Sequence, residues 1–206
     1  MSRNIAKFLS VVFHPLLLPT YLFYLILYYL PVSVITFPVE SRWLVLLLVF
    51  FTTFMVPATG AYVMLRTGHI SSFEMADRRQ RRLPLFFTAL CYAVTTYLLF
   101  RETMFDQLFF YVMGLITLSV FLTYTITIFW KISAHAVGLG GTLGILLLLN
   151  TLIPDSPLLK PILVMILIAG AVMSARLALH AHTSDEVYGG FLMGLGVGLG
   201  MWLTML

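Results

Sequence analysis

Apolar runs of about twenty residues follow one another along this chain, each roughly long enough to cross a hydrocarbon core as helix. They fall at 8–30, 43–65, 84–100, 107–130, 135–153, 158–179 and 186–206. Hydrophobic residues make up 61% of the chain and its mean hydropathy is +1.01. The fold class expected is all-α, a polytopic transmembrane helical bundle of about six to seven spans. No polar stretch is long enough to fold alone in water, so residues 1–206 are expected to form one membrane domain. The first run reads as an uncleaved span interrupted by Pro15 and Pro19. Pro84 should occupy the first turn of the third span, where its missing N–H does no harm. The glycines of the fifth and seventh runs suit close helix packing. Cys91 is the single cysteine, so neither a disulfide within the chain nor a thiolate metal site is expected.

Only 10% of the residues are charged, which makes the stretch 174–190 stand out. It packs Arg176, His180, His182, Asp185 and Glu186 between two apolar runs. A charge at the bilayer centre costs at least about 2.5–3.5 kcal/mol, so such a cluster reads as a functional site. Two other polar clusters share its side of the membrane if the spans alternate: the arginine-rich segment Asp77-Arg78-Arg79-Gln80-Arg81-Arg82 and the corner Lys131-Ile132-Ser133-Ala134-His135. That side holds nine of the twelve Lys and Arg residues, the other only Arg42, Arg101 and Lys160. The net charge of +4 lies in short loops, which points to membrane orientation or anionic phosphate groups rather than nucleic acid.

Arginine grips phosphate oxygens bidentately and lysine adds a point charge, so Arg176, Lys131, Ser133 and the loop arginines suit a phosphate group. Two histidines allow a division of labour, one attacking phosphorus and the other protonating the departing oxygen. The attacking imidazole needs an acceptor for its other N–H, and Glu186 stands four residues after His182, one helical turn away. Asp185 is the rival acceptor. His180 falls on another face, His69 is expected in solvent, and His14 reads as a helix-end residue.

At these residues the chain resembles the type 2 phosphatidic acid phosphatase (PAP2) superfamily of membrane lipid phosphatases, over roughly residues 74–190. The family's third motif, Ser-Arg-x5-His-x3-Asp, looks like Arg176, His182 and Glu186 at the same spacing, with Ala175 where the family has serine. Its second, Pro-Ser-Gly-His, looks like Ile132-Ser133-Ala134-His135. Its first, Lys-x6-Arg-Pro, is represented only by Arg82-Leu83-Pro84. The resemblance implies that His182 is the nucleophile of a phosphohistidine mechanism, Glu186 its orienting group and His135 the general acid. Ser133 and Arg176 would grip the phosphate, with Lys131 beside them and Arg78 or Arg82 standing in for the first motif. It implies a metal-independent, cofactor-free hydrolysis of a phosphate monoester or diphosphate on a membrane lipid. Phosphatidic acid, phosphatidylglycerol phosphate, undecaprenyl diphosphate and lipid A phosphates all fit.

Two other functions remain open on the residues alone. His135 and His182 could be axial ligands of a haem in an electron-transfer protein, and a degenerate site could bind or move a lipid phosphate without hydrolysing it. The location expected is a bacterial inner membrane. The basic residues, nine against three, put the clusters in the cytoplasm, whereas most bacterial relatives of the family work at the outer face.

Overall fold

The computed structural model describes residues 1–75 and 77–200, and these form eight helices with no strand among them. They are α1 (Arg3–Val12), α2 (Leu18–Tyr29), α3 (Val39–Arg66), α4 (Arg78–Arg101), α5 (Gln107–Thr127), α6 (Ala134–Leu152), α7 (Leu159–Ala178) and α8 (Ser184–Leu199). Five of them, α3 to α7, are long and apolar enough to cross a membrane. The chain is an all-α membrane protein, with side chains such as Leu167, 74% exposed, and Val94, 57% exposed, turned outward where lipid lies. The described part of α8 has 16 residues; the end of the seventh expected span, 201–206, lies outside the described residues.

Prolines set the irregularities, and side chains repair each one. The expected first span 8–30 is two helices, broken between Phe13 and Leu17 around Pro15. The Tyr21 hydroxyl donates to the Val12 carbonyl at 3.0 Å, and Thr53 donates to the carbonyl of Leu16 at 3.5 Å. Helix α3 keeps going past Pro57 by taking one wider π turn over Phe51–Met55. Proline deprives the carbonyl four residues back of its donor, and that carbonyl, on Thr53, accepts from the Tyr92 hydroxyl at 3.2 Å. Pro84 is not in the first turn of its helix as expected. Asp77 accepts from the Arg79 N–H at 2.9 Å and starts α4 at Arg78, six residues earlier, which puts the whole arginine cluster on helix.

Helix α6 runs through the middle of the bundle, with twelve of its nineteen residues buried, and packs most closely on α8. The contact is backbone against backbone. A Cβ on Gly140 would sit 2.1 Å from the Phe191 carbonyl oxygen, and one on Gly194 2.1 Å from that of Val137. Gly144 and Gly198 are nearly as tight, at 2.7 Å and 2.6 Å from opposing carbonyl oxygens. On α5 the hydroxyls mostly bond back into their own helix, as Thr123 does to Ser119 at 2.7 Å. Thr117 also reaches Thr96 of α4 at 2.8 Å.

Adding one methyl group to the α6–α8 seam should therefore be costly. Gly140→Ala or Gly194→Ala is expected to destabilise by about 1–3 kcal/mol or more, seen as a lower thermal midpoint in detergent. Gly170→Ala and Gly196→Ala, where a Cβ meets nothing within 4 Å, should leave it in place.

Candidate functional site

Helices α4, α6 and α8 all begin at one end of the bundle, so three partially positive N-termini point into the same region. Each start has a local cause besides Asp77. Ser133, fully buried, accepts from the Ala136 N–H at 3.5 Å. Thr183 and Glu186 form a capping box: Thr183 Oγ1 accepts from the Glu186 N–H at 3.4 Å, and Glu186 Oε2 accepts from the Thr183 N–H at 3.3 Å.

The same carboxylate oxygen lies 2.7 Å from His182 Nδ1. An ionised carboxylate only accepts, so Nδ1 carries the hydrogen and Nε2 keeps its lone pair. That lone pair accepts from Arg81 Nη1 at 3.3 Å. His182 is 8% exposed. Burial first, and then the charges of Arg81, Arg176 and Lys131, hold it well below the ordinary imidazole value, so the ring is neutral at pH 7.

Two bonds tie the corner before α6 to the corner before α8. Lys131 Nζ donates to the Ala181 carbonyl at 2.9 Å, and the Ser133 N–H donates to the Glu186 carbonyl at 3.1 Å. Burial and the neighbouring Arg81 charge lower Lys131, with Glu186 pulling the other way. Arg176, in the last turn of α7, donates from Nη1 to the Ser10 hydroxyl at 3.3 Å, and its buried Nε has no partner among the described residues. His135, in the first turn of α6, donates from Nε2 to the Ser10 carbonyl at 3.0 Å, with the His14 ring edge-on at 5.5 Å.

The structure thus brings His182, Glu186, Lys131, Ser133, Arg176 and His135 to one end. Arg78 and Arg82 serve another purpose there. Arg78 donates to the Phe129 carbonyl and Arg82 Nη2 to that of Ile128 at 3.1 Å, closing the C-terminal end of α5, where cations are favoured. The loop arginine that meets His182 is Arg81, about 60° round α4 from Arg78 and about 100° from Arg82, off the face those two share. Its signal was the Asp77 cap: once α4 starts at Arg78, Arg78 and Arg82 share a face and Arg81 takes another. Ser10 and His14 carried no such signal, because a single serine in an apolar run looks like any helix-packing hydroxyl. Asp185, Ser174 and His180 are exposed, Ala175 is fully buried, and exposed His69 bonds the Thr67 hydroxyl at 2.8 Å.

Among the described residues the one acid–base contact at salt-bridge distance is His182 with Glu186. Arg81, Lys131 and Arg176 therefore converge with no carboxylate at salt-bridge distance, although Glu186 acts on Arg81 and Lys131 and Glu74 on Arg176 from further off, an arrangement that suits an anion. No three His, Cys, Asp or Glu side chains gather as a metal site among the described residues. No protein-family model, curated protein or solved structure matches this chain.

A histidine kept neutral by the fold makes stability depend on pH. Below about pH 6.5 the unfolded imidazole takes up a proton that folded His182 refuses, so the unfolded state binds more protons and the fold loses stability as pH falls. The thermal midpoint is expected to drop between about pH 7.5 and about pH 5.5, and to drop less in His182→Asn. An equal drop in both proteins would assign the effect to other groups.

Proposed function

We propose that this protein is a metal-independent phosphatase acting on a phosphate monoester or diphosphate of a membrane lipid, of the PAP2 kind, in a bacterial inner membrane. The observation that carries the reading is the convergence of Arg81, Lys131 and Arg176 around a buried, neutral imidazole whose Nε2 lone pair faces Arg81. A phosphate supplies the negative charge that no carboxylate gives those cations at salt-bridge distance, and a place at one end of a bundle of membrane-length helices suits a phosphate carried on a lipid.

On binding, Arg81 releases His182 Nε2 and turns its guanidinium to the phosphate oxygens. The Nε2 lone pair attacks phosphorus while the bond from phosphorus to the lipid oxygen breaks. That oxygen takes a proton from His135, which received it from the phosphate monoanion as the lipid bound. Glu186 keeps the Nδ1 proton and balances the positive charge that grows on the ring. Water then gives a proton to His135 and attacks phosphorus, the P–N bond breaks, and inorganic phosphate leaves with His182 restored. Each cycle consumes one lipid phosphate and one water and returns both histidines to their starting state.

Purified protein is expected to release inorganic phosphate from phosphatidic acid or a prenyl diphosphate with EDTA present. His182→Ala should abolish release and His135→Ala lower it by about 10²–10⁴-fold. Arg81→Ala should lower kcat/KM by about tenfold or more, the loss of a charged hydrogen bond. Full activity in His182→Ala would sink the mechanism, and lipid-phosphate binding without turnover would make the protein a binder.

A further inference from the structure

Helix α1 lies across the groups that a phosphate would need. It packs on α7 through a narrow face, Ala6 and Ser10, both buried. Ser10 alone occupies two of those groups: its hydroxyl takes Arg176 Nη1 at 3.3 Å and its carbonyl takes His135 Nε2 at 3.0 Å. Two oxygens of one residue, facing a guanidinium and an imidazole N–H, sit as two oxygens of a phosphate would.

We propose that α1 is a displaceable cover over the anion site and that Ser10 is the stand-in ligand that an incoming phosphate displaces. The idea rests on the phosphate-binding reading above. The exchange is favourable because Arg176 gives up a neutral hydroxyl for an ionised phosphate oxygen, so that both partners of the bond are charged and the grip can become bidentate. Its Nε, without a partner in the closed state, gains an acceptor as well.

The displaced helix also has somewhere to go. At ten residues, about 15 Å, α1 is too short to cross a membrane. Ile5, Phe8 and Val11 are 54%, 66% and 68% exposed, beside the exposed cations Arg3 and Lys7. Apolar residues flanked by cations are the surface of a helix that lies in the membrane interface and is drawn to anionic headgroups. The break after α1, where Pro15 interrupts the helix, is the hinge on which it would swing while α2 stays packed against α3 and α6.

The test uses the full chain in detergent or nanodiscs and inorganic phosphate as the probe. Saturating phosphate, judged by binding of the radiolabelled ion, is expected to speed hydrogen exchange of the α1 amides several-fold. Ser10→Ala, which keeps the helix and removes the competing hydroxyl, should tighten phosphate binding about three- to tenfold. A serine that merely docked α1 would leave that affinity unchanged or weaken it. Exchange unchanged or slowed by phosphate, no phosphate binding at all, or no tightening in Ser10→Ala would each overturn the cover. Protein that binds phosphate and frees α1, yet releases no phosphate from lipids, would overturn the hydrolase reading and leave the cover standing.

Discussion

The polar end of this bundle depends on how closely α6 and α8 approach. Gly140 and Gly144 on one helix and Gly194 and Gly198 on the other let the two backbones touch. Because both helices start at the same end, the contact also fixes the spacing of their first turns. His135 stands in one of these turns, and the capping box that carries Glu186 forms the other. The seam finishes in the Ser133 N–H to Glu186 carbonyl bond, and Gly190 keeps that corner tight, since a Cβ there would come 3.0 Å from the Ser133 carbonyl oxygen. A side chain anywhere along the seam would spread the corners and with them the site.

The opposite end shows what charged groups do when they are only structural. Asp106 accepts from the Thr36 hydroxyl at 2.5 Å, the Phe37 N–H at 3.0 Å and the Thr36 N–H at 3.2 Å, pinning the turn after α2 to the start of α5. Arg42, 4% exposed, donates to the carbonyls of Leu27, Ile35 and Phe37. Arg78 and Arg82 work the same way at the end of α5. Each of these groups supplies a backbone atom that would otherwise go unmet in lipid, where a bare polar group costs several kcal/mol. Arg81 and Lys131 also bond one carbonyl each, those of Met75 and Ala181, but with Arg176 they differ in lying close enough to repel one another. Glu186 and Glu74 offset part of that repulsion without pairing with any of the three at salt-bridge distance.

Glu186 links the local and the functional levels of the site. As the third residue after Thr183 it is a helix cap, and as the fourth after His182 it fixes which imidazole nitrogen carries the proton. One carboxylate oxygen does both, so the tautomer of His182 is set by the same oxygen that caps α8. Burial first, and then the surrounding cations, keep the ring neutral, which preserves the lone pair on Nε2.

By itself the sequence determined the class and much of the polar end. Apolar run length alone requires helices in lipid, and the alternation of spans puts 77–82, 131–135 and 179–186 on one side, where the structure joins them by direct hydrogen bonds. The pairing of His182 with Glu186 expected from their spacing is present, but His182 lies before α8 and the capping carboxylate reaches back to it, with Asp185 left exposed. Three features waited for the tertiary structure. The start of α4 turned on a single cap at Asp77, and a shift of six residues decided which arginine faces His182. The first apolar run became two helices around Pro15, where Tyr21 of the same run and Thr53 of α3 satisfy carbonyls at the break. Ser10 came to lie between Arg176 and His135, 166 and 125 residues away in the chain, through packing alone. Periodicity and run length record which face of a helix is apolar, but not which polar atom on another helix will meet it.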